Sequence, residues 1–200
     1  MNTKTYLTET AKQNGLAVGS LQFPDCKFDP VNIKVIMISE VPPKNPEDGF
    51  YGVPGSDYMK STIGLFEAAG VKVKNMRDIV DMGIYITTAV KEPKSGYTVD
   101  PVLIKTHLPF LEAEISLFPG LKVIMLMGDV AKKAFNMITK GKTNKNVIPS
   151  GATGRLRHNE YFWDSIRVFP SYIMTGKNLL IEPFKRECVV DDISRMMKFI

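Results

Sequence analysis

Glu40 is a lone carboxylate at the end of an apolar run: residues 33–43 read I-K-V-I-M-I-S-E-V-P-P. A buried strand reads as such a run, and proline cannot continue its ladder, so the chain must turn out there. In open α/β sheets the carboxyl ends of the strands are where ligands and chemistry sit. Pro42, Pro43, Pro46 and Pro54 stiffen the loop that follows, while Gly49, Gly52 and Gly55 allow close backbone approach. Phe50, Tyr51 and Tyr58 add flat apolar faces. A rigid carboxylate beside an aromatic platform suits a planar ring with positive charge developing nearby. The plainer roles are a helix cap or lysine partner for Glu40 and a place in the core for the aromatics. Residues 166–172, I-R-V-F-P-S-Y, repeat the pattern of an apolar run ending in proline and mark a second strand-end loop.

Other chemistries lack their residues. The chain has no G-x-G-x-x-G, no G-x-x-x-x-G-K-[ST] and no G-x-S-x-G, so a nucleotide cofactor site and a hydrolase triad have no support. His107 and His158 are not spaced to share a metal. Cys26 and Cys188 are the two cysteines and lie far apart, which argues against a disulfide framework, a zinc site or a cysteine-held iron–sulfur cluster. Neither metal nor cofactor is expected.

The formal net charge of +5 favours a polyanionic partner. Lys140, Lys142, Lys145, Arg155, Arg157 and His158 fall in one Gly-, Asn- and Ser-containing stretch with no acidic residue before Glu160. That stretch is either a solvated loop or a phosphate-contacting one. No apolar run reaches the length of a membrane span, and residues 1–14 lack the apolar core of a signal peptide, so the expectation is a cytoplasmic protein without a membrane partner.

At 200 residues the chain reads as one domain spanning 1–200. A leading helix is expected over 3–15 and strands over 33–38, 83–89, 121–127 and 166–169. Ser56 or Asp57 can cap a helix running to about Ala69, and Asp100–Pro101 opens one to about Phe118 that Pro109 should kink or split. Gly128 turns the third strand into a helix over 129–137, and a last helix covers 186–199. Strands alternating with helices predict an α/β fold: a three-layer α/β/α sandwich around a four-stranded, mainly parallel sheet.

Five strings in order resemble the uracil-DNA glycosylase superfamily, closest to its thermostable iron–sulfur branch. Ser39-Glu40-Val41-Pro42-Pro43 resembles that branch's G-E-A-P-G, and Gly49-Phe50-Tyr51-Gly52-Val53-Pro54-Gly55 its P-F-V-G-R-A-G. Tyr85-Ile86-Thr87-Thr88-Ala89-Val90-Lys91 is similar to Y-I-T-N-V-V-K, Leu126-Met127-Gly128 with Ala131 to L-L-G-x-x-A, and Phe169-Pro170-Ser171-Tyr172 to H-P-S-Y. The resemblance covers most of the chain and implies a DNA glycosylase acting on DNA; a monomer is expected. It makes Glu40 the residue that positions water or stabilises an oxocarbenium-like sugar, and Phe50 the stacking platform. Tyr51, Thr88 and Phe169 fall at base-binding positions. Pro170 and Ser171 fall where the family's loop gives backbone contacts to DNA. Arg155 and Arg157 of the basic stretch, with Lys177 and Asn178, are the further expected DNA contacts, and residues 175–180 are either a wedge into the duplex or an ordinary turn with Gly176 at its tip.

The departures bear on activity. Thr88 stands where the family reads the base with Asn, and Phe169 where it carries a catalytic His; the cluster-binding cysteines are absent. Losing one donor to the departing base typically costs about 10²–10³ in rate. The implied enzyme is therefore slow on uracil, with an altered or relaxed base preference. Two other readings stand beside it: a non-catalytic nucleic-acid-binding module on the same fold, and an enzyme of free nucleosides.

Overall fold

A computed structural model describes residues 1–175 and 182–200. Its sheet has five strands in the order β2-β1-β3-β5-β4. They are β1 (Val35–Ser39), β2 (Ile84–Thr88), β3 (Val123–Met127), β4 (Tyr161–Trp163) and β5 (Ile166–Ser171). β2, β1, β3 and β5 run parallel, and β4 pairs antiparallel with β5. The fold is α/β and mostly parallel, with one strand more than the four expected.

Every residue of β1, β2 and β3 is buried. Register sorts them by face, because Val35 stands between Ile84 and Val123, and Ile36 between Tyr85 and Ile124. Ile36, Ile38, Tyr85, Ile124 and Leu126 join one apolar cluster; Val35, Met37, Ile84, Ile86, Val123 and Met125 join another. The first cluster is covered by α4 (Pro101–Ser116) and α5 (Asp129–Thr143), through Ile104, Leu111, Ala134 and Phe135. The second is covered by α2 (Asp57–Ala68), α3 (Met76–Asp81) and α7 (Pro183–Met196), through Leu65, Phe66, Ile79, Val189 and Ile193. α1 (Thr3–Gln13) packs Leu7 and Ala11 against Phe110 of α4.

The differences from expectation have local causes. Pro109 lies inside α4, which runs on as one helix from Pro101 to Ser116. α5 passes Met137 and Gly141 and stops at Asn144, whose φ of 58° supplies the left-handed stop. β4 is three residues long and turns into β5 through Asp164 at φ 52°, a hairpin that lacks a glycine signal. β5 continues through Pro170 to Ser171. β4 faces only residues 166–168, so Pro170 costs no bond on that side. α3 and the single turn of α6 (Thr153–Leu156) before β4 are additions to the expected elements.

β2 is tied to α4 just past its end. The buried His107 accepts the Lys91 backbone N–H at Nδ1, 3.0 Å away. Burial lowers its pKa below the ordinary 6.5, the Lys91 charge adds to this, and Glu92 opposes it. The unfolded chain therefore takes up this proton at higher pH than the native one. The contribution of His107 to stability is complete above pH 6.5 and is lost as pH falls from there toward the native pKa. Urea midpoints measured between about pH 7 and pH 5 should fall, and His107→Gln, which keeps an acceptor for Lys91, should flatten that slope. An unchanged slope in the variant would exclude His107 as its source.

Candidate functional site

Two cavities open at the carboxyl edge of the sheet. The first, about 340 Å³, has Thr87 and Thr88 at the end of β2, with Phe50, Tyr51 and Phe23 among its lining side chains. The loop over residues 42–55 builds its wall by folding on itself. Val53 N–H donates to the Glu47 carbonyl at 3.0 Å, and Gly52 is so close that a Cβ there would stand 2.0 Å from that oxygen. Ser56 Oγ donates to the Gly49 carbonyl at 2.9 Å and accepts from Met59 N–H, so one hydroxyl closes the loop and caps α2. Phe50 is thereby turned inward, 5 % exposed, edge-on to Tyr58 at 5.1 Å. The Tyr51 hydroxyl accepts Ile86 N–H at 3.0 Å and so covers part of the open edge of β2. Burial raises the Tyr51 pKa well above its usual value, leaving the phenol neutral.

The second cavity, also about 340 Å³, lies where the loops after β1 and β3 part in opposite directions. Glu40, Gly128, Thr153, Tyr172, Ile173 and Lys185 are among its walls. This is the topological switch point of the sheet, the position where such folds receive ligands. Glu40 Oε1 accepts Val130 N–H at 3.0 Å, in the first turn of α5. Carboxylate and helix dipole attract each other there. No donor among the described residues reaches Oε2. Gly128 has a φ of 99°, and a Cβ on it would stand 2.4 Å from Glu40 Oε1 and 2.7 Å from Ile173 Cγ1. Glu40 also has a backbone role, since its carbonyl accepts Val90 N–H at 3.0 Å. It therefore lies between the two cavities, its main chain on the β2 side and its carboxylate on the β3 side.

The expected site residues divide. Phe50, Tyr51 and Thr88 meet at the first cavity and Glu40 at the second. Phe169 lines neither: it lies in β5, 3 % exposed, with Phe199 edge-on at 5.8 Å and the guanidinium groups of Arg167 and Arg195 over its ring. Pro170 is buried in the sheet opposite Leu126. Arg157, expected as a contact to DNA, is turned inward, and so is the side chain of Ser171. Arg157 bonds both Asp192 oxygens and the Cys188 carbonyl, and Ser171 Oγ donates to Asp192 Oδ2 at 2.7 Å. Arg155 is exposed, its guanidinium beside Gly151 at the second cavity. Lys177 and Asn178 lie outside the described residues, as does most of the expected wedge. The basic stretch does not form one surface: α5 separates Lys140 and Lys142 from its cavity end by about 15–20 Å.

Sequence reasoning missed a network beneath the first cavity. Lys91 and Glu114 are fully buried and paired at 2.6 Å, and the Tyr85 hydroxyl donates to Glu114 Oε1 at 2.6 Å. The signal was present as a lysine three residues past a buried strand and a glutamate on the apolar side of α4. Their pairing spans 23 residues and has no local signature. Among the described residues no cluster of His, Cys, Asp and Glu is arranged to hold a metal ion, and no helix is long and apolar enough to cross a membrane. Burial pushes the Cys26 thiol up to about 11, which takes it out of nucleophilic chemistry at neutral pH. The chain matches no family model and no curated protein.

The cradle of Glu40 depends on Gly128. Gly128→Ala forces a side chain into left-handed backbone and against the carboxylate, and should cost about 1–3 kcal/mol in urea unfolding. A loss below about 0.5 kcal/mol would mean that Glu40 is free to move aside.

Proposed function

We propose that this chain is a DNA glycosylase of the uracil-DNA glycosylase type, hydrolysing the N-glycosidic bond of a deaminated or damaged base with an altered base preference. The observation that carries the reading is Glu40: a carboxylate at the end of β1, one oxygen tied to α5 and the other reached by no donor among the described residues, beside an aromatic cavity with a threonine floor. The cavity volume of about 340 Å³ is ample for a flipped base. In this reading the base enters the first cavity against Phe50 and Tyr51, with the Thr88 hydroxyl at its polar edge. As the bond from C1′ to the base breaks, its electron pair leaves with the base, and Glu40 stabilises the positive charge on the sugar. Water then adds its oxygen to C1′, and the base takes up a proton.

The apolar clusters on both faces of the sheet support a three-layer α/β/α sandwich. The proposed setting is cytoplasmic and the partner is DNA, approached at the strand-end edge near Arg155. A second reading, a nucleic-acid-binding module without catalysis, is favoured by Phe169: it is buried under Phe199 and offers no donor to a departing base.

Single-stranded and duplex oligonucleotides carrying uracil, hypoxanthine or xanthine separate the two after alkaline cleavage of abasic sites. The glycosylase reading expects strand breaks with at least one base, reduced about 10²-fold or more in Glu40→Gln. Salt-dependent DNA binding without breaks would overturn it in favour of the binding module. Base release from free nucleosides alone would overturn both.

A further inference from the structure

The floor of the first cavity rests on an ion pair to which the glycosylase reading gives no role. Lys91 Nζ lies 2.6 Å from Glu114 Oε2, and both side chains are wholly buried. Nζ also donates to Thr87 Oγ1 and to the Thr88 carbonyl, each at 2.7 Å. Three acceptors around one nitrogen use all three protons of a charged ammonium group. Glu114 Oε1 in turn accepts from the hydroxyls of Tyr85 and Thr87, at 2.6 and 2.7 Å. The network is saturated.

Such a pair adds little net stability, because the attraction between its charges is offset by removing both from water. Its effect is geometric. The peptide between Thr88 and Ala89 is gripped on both sides: the carbonyl by Lys91, and the amide by the Ser39 carbonyl, 2.8 Å from Ala89 N. Thr88 is 6 % exposed, lines the cavity, and its hydroxyl has no partner among the described residues. A clamped backbone fixes the Cα–Cβ stem, and a β-branched, 6 % exposed side chain leaves the hydroxyl few rotamers from it.

We infer that Lys91, held by Glu114, is a positioning residue that fixes the Thr88 hydroxyl at the cavity floor and so sets which size of planar base the cavity accepts. A fixed polar group demands the polar edge of the base at one depth, and one-ring and two-ring bases present that edge at different depths. The inference rests on the glycosylase reading of this cavity and names what determines its specificity.

The test is a double-mutant cycle on selectivity. Rates on single strands carrying uracil or hypoxanthine, and calorimetric binding of the two free bases, are measured for the natural protein, Thr88→Ala, Lys91→Met and the double variant. Lys91→Met/Glu114→Gln, which leaves no unpaired buried carboxylate, serves if Lys91→Met alone does not fold. Lys91→Met should shift the uracil-to-hypoxanthine ratio about tenfold, in the same direction as Thr88→Ala. The double variant should match Thr88→Ala within about twofold, since Lys91 acts through Thr88. Affinity for an undamaged strand should not change. An unaltered ratio in a folded Lys91 variant, or effects that multiply in the double variant, would overturn the inference alone. A natural protein that neither releases nor binds either base would overturn the glycosylase reading and this inference with it.

Discussion

The complete burial of β1, β2 and β3 on both faces is the constraint from which the rest of the molecule follows. A strand with no solvent side needs apolar cover above and below, which α4 and α5 supply on one face and α2, α3 and α7 on the other. It also leaves no room for unpaired polar atoms inside the sheet. Polar chemistry is thereby pushed to the strand ends, and the carboxyl ends of β1 and β2 collect Ser39, Glu40, Thr87 and Thr88 within a few residues of one another.

Three charged groups then meet the sheet in two ways. Lys91 is taken fully inside and saturated by Glu114, Thr87 and the Thr88 carbonyl. Arg157 is also taken inside, where Asp192 links it to Ser171 at the end of β5. Glu40 is left half in and half out, one oxygen on the first turn of α5 and the other without a donor among the described residues. Buried pairs fix geometry at little net gain in stability, whereas a half-tied carboxylate at a cavity keeps the capacity to act on a ligand. That contrast is why Glu40 carries the functional reading while Lys91 and Arg157 support the walls around it.

Much of the frame was legible because apolar runs bounded by proline or glycine have few structural solutions. The strands at 33–38, 83–89 and 121–127 reappear within two residues at each end, and the caps at Ser56 and Asp100 stand where their side chains allow. The misreadings come from pairing over distance. Pro170 reads as the end of a strand, yet β4 is too short to oppose it, so β5 continues. Arg157 reads as a surface cation because its partners, Asp191 and Asp192, are 34 and 35 residues away. Phe169 reads as the end of a strand and stands in its interior, facing Arg167, Arg195 and Phe199.

Legible from residue order alone are the alternation of buried strands and helices, the loop of prolines and glycines after β1 with Phe50 in it, and the place of Glu40 and Thr88 at strand ends. These follow from local chemistry: which residues can continue a ladder, cap a helix or turn a chain. Folding in three dimensions sets the aromatic platform and the Glu40 carboxylate at two separate cavities, and takes Phe169 and Arg157 into the interior. Those outcomes depend on strand order and on contacts between residues far apart in the chain, where burial and charge pairing, rather than neighbouring residue types, select the arrangement.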